Sequence, residues 1–72
     1  MLPVGSLVKF SWWSTYKAPS LSTNELGHVS WHEINPGDRG VIVGYMNEES
    51  VIVLFSSIDS LLRVNRLMIE AV

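Results

Sequence analysis

Two apolar runs, Gly40–Met46 (GVIVGYM) and Ser50–Phe55 (SVIVLF), are separated only by Asn47, Glu48 and Glu49. They constrain this chain more than any other feature. Both are dense in β-branched and aromatic residues, which suit extended backbone. A parallel crossover takes a dozen or more residues, so a three-residue connector implies an antiparallel hairpin. A half-buried antiparallel strand carries one polar face. These strands do not, because Val51, Val53 and Phe55 alternate with Ile52 and Leu54, and Ile42 alternates with Val41 and Val43. Either the rest of the chain or a second protein must cover the outer face.

The rest of the chain supplies further strands. Gly5–Phe10 (GSLVKF) sets Val8 and Phe10 on one face and Lys9 on the other. Leu61–Asn65 (LLRVN) is another candidate, and residues 67–72 form a last short strand or a turn of helix leading into one. Inward positions are expected at Val8, Phe10, Ile42, Val53, Phe55, Leu62, Val64 and Leu67. Residues 11–37 read differently, as an elaborated first loop rich in Ser, Thr, Asn and Pro, the loop formers. A structureless loop of that length is unusual in so small a domain. It must hold structure of its own or pack by its large side chains, and the weak alternation of Val29 and Trp31 against Ser30 and His32 allows a short strand.

At 72 residues the chain is read as one domain, residues 1–72, with little surface to bury and no cysteine to staple it. Hydrophobic residues make up 47% and charged residues 17%, below the usual share of about 25% for charged side chains. The apolar surplus points to self-association, with a homo-oligomer expected, or to an apolar partner surface. A net charge of −2 with five basic residues argues against a general nucleic-acid footprint. No convincing signal peptide or membrane-length apolar run is seen. The expected location is therefore the cytoplasm.

The stretch Pro36–Gly44 (PGDRGVIVG) brings a resemblance into view. A first strand G-x-L-V-K-F, a G-x-x-G-x-I turn into a strand, a hairpin to V-x-V-L-F and a short closing segment together resemble SH3-like small barrels, the KOW-type branch most closely. The layout also resembles small uncharacterised phage-encoded proteins. The resemblance covers about residues 4–10 and 36–72. It implies an all-β, SH3-like small barrel of about five antiparallel strands with a long first loop, and host-cell cytoplasm as the location. RNA-binding KOW domains are basic around this turn, whereas Asp38 and Arg39 nearly cancel here. The adjacent Trp12 and Trp13 follow the first strand, not the second long loop as in SH3 domains, so proline-peptide recognition does not carry over.

No constellation of catalytic residues stands out. Serines, two histidines and two aspartates are present without a nucleophile elbow, and no enzyme activity, catalytic residue or cofactor is expected. His28 and His32 are four apart, a spacing that converges on a helix but spans about 13 Å on a strand, so no metal site is expected. The aromatics carry more weight, since Trp and Tyr bury large areas at low entropic cost. Extended backbone over residues 10–13 puts Trp12 with Phe10 against the core and turns Trp13 outward. The reading is a non-enzymatic protein-interaction module, a phage accessory protein that self-associates, binds a host protein that it can inhibit by covering its surface, or does both. Its contact residues are expected to be Trp13, Tyr16 and Trp31 on the long loop with Ile52 and Leu54 on the outer sheet face. The alternative is a KOW-like RNA- or DNA-binding domain using Lys9, Arg39, Arg63 and Arg66.

Overall fold

A computed structural model describes residues 2–23, 29–58 and 60–72. The chain is all-β. Its strands are β1 (Leu7–Phe10), β2 (Tyr16–Thr23), β3 (Val29–Ile34), β4 (Arg39–Tyr45), β5 (Ser50–Phe55), β6 (Leu61–Asn65) and β7 (Ile69–Ala71), with a 3-10 turn at Arg66–Met68. All pairings are antiparallel, and the strands form one sheet in the order β3-β2-β6-β5-β4-β1-β7. Among the described residues the sheet is open, with β3 and β7 as its edges, and has seven strands instead of about five.

The central hairpin forms as its alternation demands. Val51, Val53 and Phe55 are buried, and Ile42 faces Val53 across the pair. Asn47 closes the turn, its Oδ1 accepting the backbone N–H groups of Glu49 and Ser50 at 2.8 Å each. That side-chain bond mimics a backbone turn and fixes where β5 begins. Between Ile42 and Gly44 the register shifts by one residue. Val43 is the extra residue of a β-bulge, which reverses the facing of the residues after it. Tyr45 therefore packs against the core opposite Val51, although simple alternation from Ile42 would turn it outward.

β4 approaches β5 closely at Gly40. A Cβ there would lie 2.6 Å from the Leu54 carbonyl oxygen and 2.9 Å from Val53 Cγ1. Just upstream, Gly37 has φ +94°, a backbone that L side chains rarely adopt, and its N–H donates to the Phe10 carbonyl at 2.8 Å. Asp38 Oδ2 accepts the Asn35 N–H at 2.9 Å, and Thr15 Oγ1 donates to Asn35 Oδ1 at 2.8 Å. These bonds bind the G-x-x-G turn to the end of β1.

Two expectations need correction. Leu67 does not point inward: the 3-10 turn places Met68 in the core and leaves Leu67 72% exposed. Asn65 Oδ1 starts this turn by accepting the Leu67 N–H at 2.9 Å, so strict strand alternation stops at residue 65. Residues 11–37 also hold more order than a loop. β2 and β3 form a hairpin, pairing Tyr16 with Ile34, Lys17 with Glu33, Ala18 with His32 and Pro19 with Trp31. Ala18, Ser20 and Ile34 are buried, and β2 meets β6 where Ser20 opposes Leu62. The hairpin thus completes the core from one side.

Candidate functional site

The outer face of the sheet carries an ordered apolar row. Leu7 of β1 pairs with Val41 of β4, Val41 with Leu54 of β5, and Leu54 with Leu61 of β6. Val72 extends the row past β1, its N–H donating to the Leu7 carbonyl at 3.2 Å. Five apolar residues from consecutive segments therefore lie side by side. Leu7 is 67% exposed, Val72 60% and Leu54 38%, while Val41 and Leu61 are half-buried. Leu7, Val41, Leu54 and Val72 line an open groove of about 650 Å³, walled by Ser56, Ser57 and Ile58 of the β5–β6 connection and bordered by Arg39. Among the described residues, none of the β2–β3 hairpin lines this groove.

Charge frames the row on both sides. β4 and β6 both run antiparallel to β5, so they run parallel to each other. Arg39 precedes Val41 by two residues and Arg63 follows Leu61 by two, which sets the two guanidinium groups on opposite margins. On the first margin Lys9 pairs in register with Arg39 and with Glu70, and Lys9 Nζ lies 3.2 Å from Glu70 Oε1. On the second, Arg63 is the register partner of Ile52. Neither Arg39 nor Arg63 forms an ion pair among the described residues. Among the described side chains this face therefore holds three cations, Lys9, Arg39 and Arg63, against one anion, Glu70.

The residues expected to form contacts fall into separate places. Ile52 and Leu54 belong to the outer face, Ile52 half-buried. Trp13 is 81% exposed in the β1–β2 connection, with its ring 6.4 Å from that of Trp12, and Trp12 packs partly against the core. Tyr16 also packs against the core, 6.4 Å from Phe10. Trp31 stands 63% exposed on edge strand β3, opposite Pro19, and makes no ring contact among the described residues. Of the basic residues, Lys9, Arg39 and Arg63 share the outer face, while Arg66 sits apart on the 3-10 turn. Sequence reasoning missed Leu7, Val41, Leu61 and Val72, whose alignment depends on register between strands far apart in the chain.

The remaining chemistry is sparse. His32 Nε2 is buried without a hydrogen-bond partner on β3, and His28 lies outside the described residues. Among the described residues no three His, Asp or Glu side chains group as metal ligands, and no helix is long and apolar enough to cross a membrane. Comparison with protein-family models, with curated proteins and with solved structures returned no match.

Proposed function

We propose that this chain is a non-enzymatic protein-interaction module that binds through the outer face of its sheet, with Trp13 and Trp31 as outlying contacts. The observation that carries this reading is the row Val72–Leu7–Val41–Leu54–Leu61 on five neighbouring segments, with Val72, Leu7 and Leu54 exposed. Scattered apolar residues on a surface need no explanation, but a contiguous patch does. The order β7-β1-β4-β5-β6, with a 3-10 turn leading from β6 into β7, supports reading the sheet as an SH3-like small barrel whose first loop is the β2–β3 hairpin. The phage-like layout makes a host-cell protein in the cytoplasm, or a second copy of this chain, the natural partner.

Leu7→Asp tests the reading, because Leu7 is exposed and its loss leaves the core intact. Light scattering and affinity capture are expected to show association lost in the variant at an unchanged melting temperature. Association that survives a charge placed within the row would refute the reading. A second reading, nucleic-acid binding, gains support from Lys9, Arg39 and Arg63 sharing one face. Phosphate contacts weaken steeply with added salt whereas apolar contacts do not, so the salt dependence separates the two.

A further inference from the structure

The margins of the row specify its partner more closely than its apolar character does. We propose that the outer face of β7, β1, β4, β5 and β6 docks an acidic amphipathic α-helix of a partner protein, an inference that rests on reading this face as the interaction surface. Strands are spaced about 4.8 Å apart, so Val72, Leu7, Val41 and Leu54 present side chains over roughly 14 Å. An α-helix rises about 5.4 Å per turn, and one laid along the row offers one apolar residue per strand over about three turns. An extended segment laid the same way would alternate its side chains at a spacing that does not match.

The cations then complete the fit. Arg39 and Arg63 each lie two residues along a strand from the row, about 6.6 Å to either side. That distance suits acidic residues flanking the apolar stripe of a helix about 10 Å across. Lys9 is already matched by Glu70, whereas the two arginines have no acid of their own among the described residues. A second copy fits less well. A two-fold axis in the plane of the interface would bring the Lys9–Arg39 margin of one copy onto the Arg63 margin of the other if it ran along the row, or each margin onto its own copy if it ran along the strands, cation against cation either way. Single-stranded nucleic acid also fits less well, since stacking needs aromatic faces and the residues between these cations are aliphatic.

The test uses two acetylated and amidated peptides of about 14 residues, both with leucine at one position per turn. One carries glutamate beside the leucines and the other lysine. In about 50 mM salt, where exposed charges are weakly screened, the glutamate peptide is expected to bind at least tenfold more tightly by fluorescence anisotropy. Combining Arg39→Glu with Arg63→Glu, both exposed positions, is expected to invert that preference at an unchanged melting temperature. Equal affinity for the two peptides would overturn the helix proposal. So would no binding of the glutamate peptide at about 1 mM, or oligothymidylate occupying the face in its place. Self-association abolished by Leu7→Asp, without any peptide preference, would sink the helix and leave the face standing. Leu7→Asp that alters neither association nor peptide affinity would sink the face itself.

Discussion

The molecule exposes apolar surface in two ways. On residues 11–34 it shows single large aromatics, Trp13 in a connection and Trp31 on an edge strand, with no contact between them. On the outer sheet face it shows smaller aliphatic residues that cross-strand pairing assembles into one row. The aromatics stand out in the sequence and the aliphatics do not, yet only the aliphatics make a continuous surface. Register, not residue size, decides what a partner can touch at once.

Several measurements would break or sharpen that contrast. The largest effect is expected from Phe55→Ala, on the buried side of the strand that carries Leu54. Emptying that position should cost about 3–5 kcal/mol in a denaturant melt, against about 1 kcal/mol or less for Leu54→Ala. Similar costs for the two would erase the distinction between the faces of β5. Gly40→Ala is expected to cost about 2–3 kcal/mol, because the new Cβ meets the Leu54 backbone at 2.6 Å and β4 must draw away from β5. Amide exchange should then quicken at Val41 and Leu54 while the β2–β3 hairpin is spared.

Smaller effects bear on the contrast more directly. Trp13→Ala and Trp31→Ala should each leave stability within about 0.5 kcal/mol and weaken association less than Leu7→Asp does. An aromatic variant that abolishes association would move the functional surface to residues 11–34. Least of all, Glu70→Gln should change stability by under about 1 kcal/mol, since the Lys9–Glu70 pair is solvent-exposed. Freed of its acid, Lys9 should sharpen the preference of the face for anionic partners.

How far the sequence could be read depends on which side chains do the packing. β4, β5 and β6 were legible because Ile42, Val53, Phe55, Leu62 and Val64 are large, apolar and regularly spaced. β2 was hidden because its buried residues, Ala18 and Ser20, are small and interleaved with Lys17 and Pro19, so no alternation appears. The bulge at Val43 and the turn at Arg66–Met68 each break a period that holds on either side, and the turn is what sets Leu67 outward against expectation. For the candidate site, Ile52, Leu54 and the split between Trp12 and Trp13 could be read from local alternation. The row itself could not, because it joins residues 7, 41, 54, 61 and 72.

Strand β1 has a kinetic consequence. It is held by β4 on one side and by β7 on the other, with Val8 opposite both Gly40 and Ala71. Its second set of partners lies about sixty residues downstream, Phe10 with Ile69 and Val8 with Ala71. Contacts of such sequence separation slow folding, since chain entropy is lost before they form. During synthesis, the β4–β5 hairpin can assemble as soon as it emerges, while β1 waits with one edge unpaired. Until residue 71 arrives, that edge is open to any other extended chain nearby.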